Sequence, residues 1–239
     1  MLLPLMSTPV ATLSEIRDGL QQRLLTHLYR GAESSNLVLK GGAAMRVLTA
    51  SARYTQGSGL SQVAISEPKQ TDTVARWKIT GCTSAGESLH LTVEVSRRRA
   101  PDLGHVIKVP VQIADRTLPR VYVSVYDEQA RADNKLRALL DENRTASRDI
   151  YDLELLLARG VHPSTEVVEN VGGHATLVLR VSEKLDLMGW ALFRDQVLPA
   201  LPREIQANLD EEEYLSMKVR LLDLLERSLA GQVSDKGRT

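Results

Sequence analysis

One cysteine, one phenylalanine and an aromatic content of 4% are the first shortages of this 239-residue chain, and each excludes something. A lone Cys82 rules out an internal disulfide and suits a reducing compartment, so the expected location is the cytoplasm. Few rings leave few platforms for stacking nucleic-acid bases. There is no excess of either charge: 30 basic and 30 acidic residues cancel, so a surface for nucleic acid would have to be a local patch. Long apolar runs are also missing. Nothing approaches the roughly 18 residues of a membrane span, and Met1–Met6, apolar but short and without a basic start, does not read as a secretory signal. The five histidines have no metal-ligand spacing with one another or with Cys82, and no Walker, GxGxxG or GxSxG motif occurs. What is there, 43% hydrophobic and 25% charged residues, is ordinary for a globular chain.

Patterning divides the chain into strands first and helices after. Thr12 with Glu15 is a capping box, and Leu13, Ile16, Leu20, Leu24 and Leu28 recur at helical spacing, predicting a helix to about Arg30 that Gly31 ends. Period-two runs at Gln62–Ile65, Thr73–Thr80, Leu89–Ser96, His105–Ile113 and Leu118–Tyr126 predict a mixed or mostly antiparallel sheet. Asp127 is an N-cap candidate. Helices are then expected over Ala130–Leu140, from Ser147 to Ala158, over Pro163–Asn170 with closure at Gly172-Gly173, and over Thr176–Val181. The last helix follows an acidic first turn, Asp210–Glu213. Its apolar stripe is read as Leu215, Val219, Leu222, Leu225 and Leu229, with a disordered tail after Gly231. The fold class is α+β, with a nucleotide-binding half at residues 1–126 and a helical half at 127–239.

The stretch with the most chemistry runs from Asn36 to Gln62. Leu37–Leu39 predicts a buried strand, Gly41-Gly42 a tight turn and Ala43–Ala50 a helix, a geometry in which free backbone N–H groups can hold a phosphate. Diglycine turns are more often structural, so the motif needs support from elsewhere. Leu39-Lys40-Gly41-Gly42-Ala43-Ala44, with Arg53-Tyr54-Thr55 a dozen residues on, resembles the opening of the AbiEii/MenT-like nucleotidyltransferase toxins of bacterial toxin–antitoxin and phage-defence systems. The resemblance implies a nucleotidyltransferase-fold mixed sheet flanked by helices, with a Lys-Gly-Gly turn and an Arg-aromatic-Ser/Thr-x-Asp-x-Asp strand whose aspartates hold Mg²⁺. At those two positions this chain has Gly57 and Gly59.

Two later segments extend the resemblance to about Gly160. On Leu89–Ser96 the leucines and valines share one side, while His90, Thr92, Glu94 and Ser96 share the other; the resemblance gives Glu94 the remaining metal carboxylate. Asn134-Lys135-Leu136-Arg137-Ala138, followed by Arg148-Asp149-Ile150-Tyr151-Asp152-Leu153, resembles the family's Lys-Leu-x-Ala helix and Arg-Asp-x-x-Asp-Leu motif. By the same resemblance Lys40, Gly41, Gly42, Arg53 and Asp149 bind phosphate or nucleotide, and Lys135, Asp152 and Glu94 form the catalytic set. A solvated helix face and favoured first-turn carboxylates explain Lys135, Asp149 and Asp152 equally well without ligand. A second register, Lys69-Gln70-Thr71-Asp72, offers Asp72 as a metal ligand.

Glycine has no side-chain oxygen, and one carboxylate is a poor site for the cations that nucleotidyl transfer requires. The primary expectation is therefore a degenerate member that binds a partner protein, nucleotide or RNA without a cofactor. Arg97-Arg98-Arg99 with Arg137, Arg144 and Arg148 would supply a basic rim for tRNA. Two alternatives stand beside it: an Mg²⁺-dependent toxin modifying tRNA through a rearranged site, and a structural subunit of a defence or mobile-element complex docking through its last helix.

Overall fold

A computed structural model describes residues 13–40, 44, 61–83, 86–97, 103–111, 119–201 and 203–236. The chain forms two compact units, Met1–Val125 and Tyr126–Thr239.

In the first unit, helix α1 (Leu13–Arg30) leads into a short 3-10 turn at Ala32–Asn36. Strands β1 (Ser61–Ser66), β2 (Val74–Cys82) and β3 (Ser88–Ser96) form an antiparallel sheet in that order, with Arg76 opposite Glu94, Trp77 opposite Val93 and Ile79 opposite Leu91. Alternation on β3 is as expected: Leu89 and Leu91 are buried, whereas His90, Thr92 and Glu94 face solvent. Strand β4 (Val106–Pro110) pairs with β5 (Tyr122–Tyr126). The core of this unit gathers Val111, Val121, Val123 and Val125 with Ala44, and Tyr29, Leu39 and Val109 pack on it. The Tyr29 hydroxyl lies within hydrogen-bonding distance of the Leu37 and Ser124 carbonyls, and burial pushes its pKa up to about 12.

The second unit is helical: α2 (Glu128–Leu140), α3 (Arg148–Ala158), α4 (Thr165–Asn170), α5 (His174–Asp186), α6 (Trp190–Gln196), α7 (Arg203–Gln206) and α8 (Glu211–Lys236). Asp127 caps α2, its carboxylate accepting the Ala130 N–H at 2.8 Å. Helix α3 closes at Gly160, whose φ of +80° suits a residue without Cβ; the Gly160 and Val161 amides donate back to Leu157 and Leu156. Leu136, Ile150, Leu153, Leu156, Phe193 and Leu221 are fully buried, and Tyr214 among them donates its hydroxyl to the Met188 carbonyl at 2.7 Å. Among the described residues no helix is long and apolar enough to cross a membrane.

Four expectations are corrected. Helix α8 buries Tyr214, Met217, Leu221, Leu225 and Ser228, while Leu215 and Val219 are exposed; the buried face starts one residue earlier than the leucine count suggests, because Tyr214 and Met217 are the anchors. The helix also continues past Gly231 to Lys236. In α1, Gln22, Leu25 and Thr26 are buried and Leu28 is exposed. The expected strand at Leu37–Leu39 reduces to one parallel bridge, Leu39 to Val125, with the Leu39 N–H donating to Ser124 at 2.8 Å. The expected helix over Ala43–Ala50 lies outside the described residues except for Ala44, which is helical.

Candidate functional site

The densest charge cluster lies where α2 and α3 meet. Lys135 sits on α2, Asp149 and Asp152 occupy the first five residues of α3, and Arg144 comes from the loop 141–147 between the helices. Lys135 Nζ donates to Asp149 Oδ1 at 2.9 Å and also pairs with Asp152 Oδ2. Arg144 Nη2 lies 2.8 Å from Asp149 Oδ2; this is an ion pair whose angles miss hydrogen-bond geometry, so that oxygen is compensated by charge alone. Asp149 is 1% exposed, Asp152 17% and Lys135 15%, while Arg144 is 47% exposed. A carboxylate removed from water in this way needs paired charge to stay ionised, and Asp149 has two cations and a helix N-terminus around it. The cluster therefore neutralises itself and presents one solvent-facing guanidinium.

The other anticipated residues of this unit sit elsewhere. Arg137 pairs with Glu166 at 3.1 Å on the surface, and Arg148 is exposed at the first position of α3. Of the anticipated rim, Arg144 instead belongs to the buried cluster, and Arg98 and Arg99 lie outside the described residues. Sequence reasoning missed Asp133 and Gln196. Asp133, buried on α2, accepts the Ser164 N–H at 2.8 Å, and no motif marks it. Gln196 holds the start of α3 from 49 positions away in sequence.

In the first unit, Glu94 is opposite Arg76 on neighbouring strands, and the two close an ion pair at 2.6 Å with side chains 53% and 39% exposed. Asp72 is exposed in the turn before β2, bracketed by the Thr71–Val74 bridge, and Gln70 spends its side chain on the Arg76 backbone at 2.8 Å and 2.6 Å. Lys40 is exposed; Gly41, Gly42, Arg53, Gly57 and Gly59 lie outside the described residues. Whether the residues suit Mg²⁺ can be tested on these positions. Glu94 is closed onto a guanidinium, Asp149 and Asp152 onto an ammonium, and among the described residues no three His, Cys, Asp or Glu side chains converge as a metal site. The described residues do not fit Mg²⁺.

The family profile for "Nucleotidyl transferase AbiEii toxin, Type IV TA system" matches residues 58–227, well over half of the chain. The chain belongs to the AbiEii family. The match begins inside the Gly57-Ser58-Gly59 stretch, takes in the whole Lys135–Asp152 cluster and leaves out Lys40-Gly41-Gly42. Similar solved structures include JHP933 from Helicobacter pylori, at 19% identity and a TM-score of 0.52, covering 96% of this chain and 98% of that one. A second H. pylori protein, described as a candidate nucleotidyltransferase, aligns at 20% identity and a TM-score of 0.50 over 93% of this chain and 99% of its own. At such identities the likeness carries the fold, and the α+β nucleotidyltransferase-type architecture expected for this AbiEii member is what they share. No curated protein matches.

Proposed function

We propose that this AbiEii-family protein has given up nucleotidyl transfer and acts by holding phosphate, on a nucleotide or an RNA end, with its partner in a toxin–antitoxin pair as the further binding candidate. The observation that carries the reading is Glu94. The one carboxylate left at the family's metal position faces Arg76 at 2.6 Å, and the two aspartates expected before it read Gly57 and Gly59. Losing two charge-stabilising groups, each worth roughly 10² to 10³ in rate in electrostatic catalysis, leaves little turnover. Binding tolerates the same loss. Phosphate can be held by cations without a metal, and the half-exposed Arg144 guanidinium, the solvent-facing charge of its cluster, supplies the planar fork that phosphate takes. The setting this implies is the cytoplasm, where nucleotides, tRNA and an antitoxin are at hand.

The test is incubation of the purified chain with labelled nucleoside triphosphates, Mg²⁺ and total tRNA. The expected result is no labelled RNA. A labelled product that disappears in Glu94→Gln would overturn the reading in favour of a working transferase with a rearranged metal site.

A further inference from the structure

We propose that Gln196 is a positioning residue for the Lys135–Asp149–Asp152–Arg144 cluster, pinning the loop that carries Arg144 so that its guanidinium stays on Asp149. The phosphate-binding consequence rests on the function proposed above; the positioning role does not.

The loop 141–147 is tied at both ends by side chains distant in sequence. At its start, Lys184 Nζ of α5 donates to the Asp141 carbonyl at 2.7 Å. At its end, Gln196 Oε1 accepts the Ser147 N–H at 3.1 Å and lies 3.2 Å from Ser147 Oγ, while its Nε2 donates to the Thr145 carbonyl at 3.4 Å. Two donors on one side and a carbonyl on the other leave the amide a single satisfactory orientation. Leu192, one turn earlier on α6, brings its carbonyl within 3.3 Å of the same hydroxyl.

Ser147 is what makes this tether informative. Serine before a helix ordinarily accepts a first-turn amide, but here the side chain makes no capping bond, and the Asp149 and Ile150 amides donate to the Ala146 and Ser147 carbonyls. The hydroxyl is turned toward α6 instead, the residue is fully buried, and among the described residues Gln196 is what satisfies its N–H. Thr145 and Ser147, both fixed by one amide, follow Arg144 directly. Arg144 is half exposed even though its partner Asp149 is buried, so the position of its guanidinium depends on the backbone that carries it, which the tether fixes.

The test is a double-mutant cycle in the full chain with two readouts, equilibrium binding of labelled ATP and hydrogen exchange at the Ser147 amide. Gln196→Met is expected to speed Ser147 exchange at least tenfold and to weaken ATP binding about fivefold, but less than twofold in an Arg144→Gln background. Gln196→Glu, which keeps an acceptor for the Ser147 N–H but loses the donor to the Thr145 carbonyl, is expected to return Ser147 exchange to within about threefold of the unaltered chain while recovering only part of the ATP binding. Should Gln196→Met not fold, Ser147→Ala, which removes only the hydroxyl contact, takes its place with an expected twofold loss. Equal weakening with and without Arg144, or unchanged exchange at Ser147, would overturn the proposal. If the unaltered chain does not bind ATP, the phosphate-binding function falls, and the exchange readout still decides for or against Gln196.

Discussion

Two ion pairs, each holding at least one residue that the sequence marks as functional, sit in opposite surroundings. In the second unit Lys135 and Asp149 meet inside a helical core, 15% and 1% exposed. In the first, Arg76 and Glu94 meet across two strands in open solvent, 39% and 53% exposed. Equal chemistry thus has unequal weight. The buried pair is part of what holds its unit together, because either member alone is a desolvated charge; the exposed pair adds little to the stability of its sheet.

The contrast breaks first at Lys135. Lys135→Met strands Asp149 with Arg144 alone, and urea unfolding of the second unit should register a loss of about 3–5 kcal/mol. A loss below 1 kcal/mol would mean that Asp149 is less isolated from water than its burial implies. Next in size is Leu153→Ala, which empties a fully buried site on α3 and should cost about 2–5 kcal/mol in the same measurement.

Tyrosine titration sharpens the comparison, because burial shields Tyr29 in the first unit and Tyr214, besides Tyr151, in the second. Burial raises both Tyr29 and Tyr214 from 10 to about 12. The folded chain holds these protons more tightly than the unfolded one, so the contribution to stability is complete below pH 10 and is lost as pH rises toward 12. Ultraviolet titration should therefore reveal a late ionisation step. Tyr214→Phe should remove part of it and flatten the loss of stability over that window. The smallest effect belongs to Glu94→Gln, which should change stability by less than about 1 kcal/mol, with that difference shrinking further in salt.

How far these features could be read from the residues depends on how local their causes are. Asp127 capping α2, the start of α3 near Ser147 and the Gly172-Gly173 closure of α4 are decided within a turn of chain, and each is where its local pattern put it. The position of Lys135, Asp149 and Asp152 on two consecutive helices was legible for the same reason. The buried face of α8 was not, since Leu215, Val219 and Leu222 offer one helical stripe and Tyr214, Met217 and Leu221 another, both running on into Leu225, and only packing against α3 and α5 selects between them. Arg144 on Asp149, Gln196 on Ser147 and Asp133 under Ser164 depend on side chains meeting across loops, and no periodicity encodes that.

Phosphate holding without a metal is tested most directly by equilibrium binding of labelled ATP to the purified chain, once with Mg²⁺ and once with EDTA. The account predicts saturable binding of similar strength in both buffers, weakening as salt is added. Binding that appears only with Mg²⁺ would contradict it.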